Sequence, residues 1–442
     1  MLKPVALIVA ATCLGVPVSA ASSTVHSFKK IQLTPEFWAE GAAFGDFNHD
    51  GVNDVTYGPF WWAGPDFAKR FEYRPATATF KRKDAEGAEK TIPGYEGALG
   101  LNNAYSDNFF TWTADFNADG WTDILIVGLP GENAFWFQNP QGKPGPWERH
   151  VALDIVDNES PEFRDLVGDG GPELVCNSKG FFGYAKPDQA NPKAMWKFHA
   201  ISPNNNYHKY NHGIGAGDVN GDGRKDLLES TGWWEQPASL AGDPVWKFHK
   251  FDFCPATDQG VPVGGAQLFA YDVNGDGLND VITAIACHGY GLAWYEQVRT
   301  GDEIGFTKHL FVNKTPEDNR YGVAFSQPHA LDLVDMDGDG LKDLITGKRF
   351  WAHGPTGDPE PNAAAVLYWF RLQRGPNQTA EFVPHLIDSD SGVGTQVMAA
   401  DINGDGRPDI VVGNKKGGHV FLQEAKTVSK AEWEAAQPKA RH

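Results

Sequence analysis

Asp218-Val219-Asn220-Gly221-Asp222-Gly223-Arg224-Lys225-Asp226 is the stretch on which the fold turns. Oxygen-bearing side chains at positions 1, 3, 5 and 9 around a turn-forming glycine make up the donor set that a hard cation such as Ca²⁺ takes. The pattern begins seven times, at Asp46, Asp115, Asp165, Asp218, Asp272, Asp335 and Asp401, at intervals of 50 to 69 residues. A period of that length marks a repeat array. The expected calcium donors are Asp46, Asn48, Asp50 and Asp54, then Asp115, Asn117, Asp119 and Asp123. They continue as Asp218, Asn220, Asp222 and Asp226, and as Asp272, Asn274, Asp276 and Asp280. Asp335, Asp337, Asp339 and Asp343, with Asp401, Asn403, Asp405 and Asp409, complete the set. The copy at Asp165 is degenerate: it lacks an oxygen donor at its third position and closes on Glu173.

These are not EF-hand loops, which need a bidentate Glu at position 12 and flanking helices. Position 12 is Tyr57, Ile126 or Thr283 in three copies, and Glu229 in one. The residues after each loop are β-branched and apolar, as in Asp123-Ile124-Leu125-Ile126-Val127, so each unit is strand–loop–strand. An aromatic strand follows, such as Gly232-Trp233-Trp234-Glu235, and then an aromatic-x-x-His strand. The latter ends in His150, His199, His249, His309 and His385. Four strands per unit and seven units predict an all-β, seven-bladed β-propeller over residues 21–425. The last unit has no fourth strand of its own. Residues 28–33 carry the missing pattern, with Ile31 in the histidine position, and are expected to close the last blade.

Residues 1–20 have one lysine, an apolar run over 5–16 and Val18-Ser19-Ala20, which reads as a signal peptide and a secreted or periplasmic protein. No other stretch is long and apolar enough for a membrane span. Residues 426–442 form a charged C-terminal tail, expected as a surface helix or an unstructured end. The net charge of −19 reflects the loops, which hold 22 acidic residues at positions 1, 3, 5 and 9. Bound cations would neutralise them. No basic stripe supports nucleic-acid binding.

Histidines that recur at one repeat position belong to the blades, and tryptophans of the third strands belong to the core. The singular residues lie at the other end of the first strand, six residues before each motif. They are Glu40, Phe109, Glu159, His212, Ala266, His329 and Thr395. Propeller symmetry turns all seven toward the channel mouth, where loops also bring His208, Tyr210, His288, Lys348, Arg349, His353, Lys415, Lys416 and His419. Two histidines and two glutamates from separate blades suit Zn²⁺ or another divalent metal, with His212, His329, Glu159 and Glu40 as candidate ligands.

The seven motifs resemble FG-GAP/VCBS propeller repeats, known from integrin heads and secreted bacterial proteins. A narrower resemblance rests on His212-Gly213-Ile214-Gly215-Ala216-Gly217-Asp218, on Gly232-Trp233-Trp234-Glu235-Gln236-Pro237, and on residues 346–354 with Lys348, Arg349 and His353. These segments are similar to the N-terminal propeller of aldos-2-ulose dehydratase/isomerase. The resemblance implies a carbon–oxygen lyase that eliminates water from a keto-sugar with a metal ion in the propeller cleft. That family's longer members add cupin and lectin-like domains, which this chain lacks.

The chemistry requires a Lewis acid on the carbonyl oxygen, a base for the adjacent proton and an acid for the departing hydroxyl. His208 or His353 is the expected base or acid, with Tyr210 as the alternative. Lys348 and Arg349 would bind sugar hydroxyls or stabilise the enolate, and Trp61 and Trp351 would offer stacking faces. Two other classes fit the same residues. One is a non-enzymatic propeller that binds glycans or proteins. The other is a polysaccharide lyase acting on uronates, whose carboxylates Lys348, Arg349, Lys415 and Lys416 would neutralise.

Overall fold

A computed structural model describes residues 23–98, 103–255 and 264–441. The expected signal peptide lies outside the described residues. The architecture is all-β, with one short α-helix at Lys430–Ala436.

The recurring element is a four-stranded antiparallel sheet. Its plainest form is Ala42–Gly45, Asp54–Tyr57, Phe60–Ala63 and Lys69–Glu72, hydrogen-bonded in that order. Leu331–Val334, Asp343–Gly347, Leu367–Arg374 and Ala380–Asp388 repeat it. A seven-stranded sheet is two such units sharing one strand: the 17-residue Glu148–Arg164 is last in one and first in the next. An eight-stranded sheet joins two more through a parallel pairing of Ile214–Gly217 with Gln267–Tyr271. Gly215 permits that approach, because a Cβ there would sit 1.9 Å from Leu268 O.

Val397–Ala400, Asp409–Asn414 and Gly417–Val428 form a final sheet whose fourth strand is Ser23–Thr34, antiparallel to Gly417–Val428. That strand runs past the expected boundary at Lys426. The first strand of the last sheet lies beside Ala42–Gly45. Thr395 N–H there donates to Glu40 O at 2.9 Å. Residues 79–93 add a hairpin, Thr79–Lys83 with Glu89–Pro93, that the repeat pattern did not foretell. All of this is consistent with a propeller.

The closing aspartate of each loop acts as a bracket. Asp123 is fully buried and accepts N–H bonds from Phe116 at 3.1 Å and Asn139 at 2.7 Å. Asp226 does the same for Val219 and Gln236, both at 2.9 Å. Each one ties the loop to the third strand of its own unit. Burial pushes both carboxyls up to about 7, only partly opposed by those N–H bonds.

The recurring histidines are structural. His249 stacks on Trp233 at 4.0 Å between ring centroids and 4° between planes, directly across the strand pair. His199 on Tyr184 and His309 on Trp294 repeat the contact. In the closing strand Ile31 pairs with Val420, which pairs in turn with Val411, two residues after Asp409. His249, Trp233 and Leu228 stand in the same relation to Asp226, so Ile31 occupies the histidine position, and the neighbouring Lys30 places its ammonium 5.9 Å from the Phe421 ring. Trp61 is also core: it stacks on Phe71 at 4.3 Å within a buried cluster, so it offers no sugar-binding face.

Candidate functional site

Six of the residues six before each motif, Glu40, Phe109, Glu159, His212, His329 and Thr395, come together. Thr395 Oγ1 donates to Phe109 O at 2.5 Å, next to its backbone link to Glu40. Glu159 owes its direction to an irregularity in the shared strand: the register slips between Asp157 and Glu162, and Asn158 has φ 86°. Such a bulge re-aims a side chain. The bulge also holds the loop bearing His208 and Tyr210, because Asn158 N–H bonds Lys209 O at 2.7 Å and Glu159 N–H bonds Asn211 O at 2.8 Å.

His212 and His329 come from the starts of two first strands, and His288 from the turn after Asp280–Ala284. His212 Nε2 and His288 Nε2 face each other at 3.1 Å. The His329 ring lies 5.4 Å from that of His212 and 4.9 Å from that of His288. Glu159 Oε2 lies 3.4 Å from His212 Nε2 and 3.6 Å from His329 Nε2. One ligand atom from each of His212, Cys287, His288 and His329 falls within 4.8 Å of all the others.

Burial holds His288 well below the ordinary imidazole range, with the His329, His212 and Arg349 charges adding to it. Burial and the Arg349 charge bring His329 down to about 4. Neutral imidazoles are what a metal requires. Burial alone would raise Glu159, but hydrogen bonds from His212 and His329 outweigh it and hold the carboxyl far below its usual range. Three imidazoles with Cys287 form a donor set that fits a divalent ion such as Zn²⁺, and the Glu159 carboxylate lies beside two of the imidazoles.

Glu40 does not belong to that set. It pairs with Arg349 Nε at 3.1 Å and faces Lys415 Nζ at 3.9 Å. Burial raises its pKa, and those two cations bring it below the ordinary value. Arg349 also reaches His329 Nε2 at 3.0 Å and Glu159 at 3.7 Å, bridging the two carboxylates. Lys348 is fully buried, bonded to Ser326 Oγ at 2.5 Å behind the cavity wall, so it cannot bind sugar hydroxyls. Lys415 donates to Trp351 O at 2.6 Å, and Lys416 to Asp390 at 2.9 Å. His419 is buried against Gln32 in the closing strand pair. Trp351 Nε1 bonds Asn362 Oδ1 at 2.8 Å, and its ring lies over Phe350.

Above the cluster opens a cavity of about 420 Å³, lined by Tyr105, Phe109, Leu129, Glu159, His208, Tyr210, His212, His288, Arg349 and His353. His208 and Tyr210 stand exposed at its rim, with rings 5.5 Å apart. His353 is anchored through Nδ1 to Asp358 Oδ1 at 2.8 Å. Sequence reasoning left His288 outside the ligand set and missed Cys287 and Asp358. The available signal was Cys287-His288 in the turn after the second strand, the same end of the unit as the six-back positions.

An FG-GAP repeat model matches residues 393–425, and an FG-GAP-like repeat model matches residues 115–176. Human integrin alpha-IIb is 22% identical over 362 residues, which is 75% of this chain and 30% of the integrin. The chain thus spans under a third of that relative. These matches support an FG-GAP propeller. Among solved structures, a protein from Lactobacillus plantarum aligns at 8% identity over 87% of each chain, with a TM-score of 0.43. Rhamnogalacturonan lyase YesW aligns at 13% identity over 90% of this chain and 72% of its own, with a TM-score of 0.39. Among the described residues no helix is long and apolar enough to cross a membrane.

Proposed function

We propose that this chain is an exported, calcium-loaded, seven-bladed propeller that eliminates water from a neutral keto-sugar at a divalent-metal site. The blade count draws support from the recurring four-strand unit, the shared strand Glu148–Arg164 and the pairing of the first and last strands. Calcium draws support from the repeated donor sets, including carboxylates of Asp335, Asp337 and Asp339 with oxygens within 4.8 Å of one another.

One observation carries the activity: His212 and His288, grouped with His329 and Cys287, lie with Glu159 at the floor of a cavity walled by His208, Tyr210 and His353. His212, His288 and His329 would hold a Zn²⁺ or similar ion, which when bound would supply Lewis acidity for a keto oxygen and so acidify the neighbouring C–H. His353 removes that proton at Nε2, since its Nδ1 is committed to Asp358. The C–H electron pair becomes the new C=C bond as the C–O bond to the next carbon's hydroxyl breaks. His208, or Tyr210 beside it, gives that hydroxyl a proton, and water leaves. Arg349 lies by the floor to offset charge developing on the oxygen.

The uronate alternative loses its cations. Arg349 and Lys415 are matched by Glu40 and Glu159, Lys348 is buried and Lys416 is paired with Asp390. A cavity so neutralised favours an uncharged sugar. Incubation with anhydrofructose, 3-keto glycosides and uronate polymers, followed by absorbance of a new conjugated double bond, tests the reading. Signal with the keto-sugars supports it, and signal with uronates alone replaces it. Silence with all three, together with no metal beyond calcium, leaves a binding propeller.

A further inference from the structure

Asp358 lies in the loop between Asp343–Gly347 and Leu367–Arg374, and its side chain is 3% exposed. Its Oδ1 is 2.8 Å from His353 Nδ1 and 3.6 Å from His288 Nδ1. Its Oδ2 accepts the His353 backbone N–H at 2.9 Å. The His288 and His353 rings stack at 4.4 Å. The Gln327 amide, turned so that its own neighbours are satisfied, adds a bond to Asp358 Oδ2 at 3.2 Å. The loop is tight as well: a Cβ on Gly357 would lie 2.3 Å from His353 O.

We propose that Asp358 is a positioning residue serving two histidines at once, the cavity base His353 and the metal ligand His288. The proposal rests on the metal reading of the cluster above. A carboxylate on Nδ1–H fixes the tautomer of His353 and leaves the Nε2 lone pair for the substrate. The same carboxylate facing His288 Nδ1 directs His288 Nε2 toward His212 and strengthens it as a donor. Carboxylate–histidine–metal arrays work this way, and loss of the outer partner costs about 10–100-fold in metal affinity. One side chain therefore ties the ligand geometry to the proton-transfer geometry.

The test uses the full chain with Zn²⁺ as probe. Asp358→Asn keeps an oxygen for the His353 amide but removes the charge. We expect zinc affinity to fall about 10–100-fold, with unchanged melting in calcium, and His353 to lose its single Nδ1–H tautomer in ¹⁵N spectra. His353→Ala alone should leave zinc affinity near wild type, and adding Asp358→Asn to it should restore the loss. Wild-type affinity and tautomer in Asp358→Asn would overturn the proposal. If the wild-type protein takes up no zinc, the metal reading fails and the tautomer measurement alone decides on Asp358.

Discussion

Arg349 Nε lies 3.1 Å from Glu40 Oε2, and each side chain is 1% exposed. An ion pair so deep is costly to break from one side, because the survivor stays charged and dry. Arg349→Met should destabilise the protein by about 3–5 kcal/mol, and Arg349→Met with Glu40→Gln by clearly less. Chemical denaturation of the two variants and the wild type in calcium checks this. Equal losses would mean that Glu40 is satisfied without the guanidinium.

Removal of ligands should separate metal from fold. His212→Ala, His288→Ala and His329→Ala are each expected to abolish tight zinc binding, since three imidazoles share the site. Melting in calcium should change little, because the loops that brace the strands lie at the opposite end of each unit. Metal analysis beside thermal melts gives both numbers. Full zinc content in all three variants would show the site to be misassigned.

Much of this was legible because a repeat converts counting into geometry. Six residues back from each motif led to His212, His329 and Glu159, since a strand of fixed length carries the chain from loop to mouth. The same count also chose Glu40, and there it failed. Whether a buried carboxylate meets a histidine or a guanidinium depends on which loop closes over it, and Arg349 arrives from a turn outside the repeat register. Asp358 was illegible for a related reason, in that it reaches His353 through a local turn with no counterpart in other units. Ile31 was legible because the aromatic-x-x-His spacing recurs from Phe28 to Ile31, and the pairing of Ser23–Thr34 with Gly417–Val428 sets Ile31 opposite Val420, the counterpart of Trp233 opposite His249.

Calcium dependence should grow with pH. Burial raises Asp123, Asp226 and Asp343 to about 7, and Asp54 and Asp280 to about 6, from a usual value near 4. A carboxyl raised in the folded state favours folding below its unfolded pKa, and that contribution is lost as pH rises through the folded value. Without calcium these groups should therefore cost stability between about pH 4 and 7. Bound cation reverses the penalty by favouring the charged form. Melting with and without a chelator should show a small difference near pH 5 and a large one above pH 7. A difference independent of pH would remove these aspartates from the account.

The stacked histidines offer a control for the site. His249 lies 4.0 Å from Trp233 and bonds Glu235 Oε2 at 2.7 Å, on a strand far from the cavity lining. The aromatic contact accounts for about 0.5–1.5 kcal/mol beyond area burial. The partly exposed bond to Glu235 adds little. His249→Ala should lower stability by about that amount and leave zinc content and any keto-sugar turnover as in the wild type. His353→Ala should do the reverse, with stability kept and turnover lost, because its ring is held by Asp358 at the cavity wall and not by a cross-strand partner. Melts and absorbance assays on the pair distinguish a histidine that serves the sheet from one that serves the substrate. Loss of turnover in both would mean that the cavity depends on outer-strand packing, which the separation of the two residues argues against.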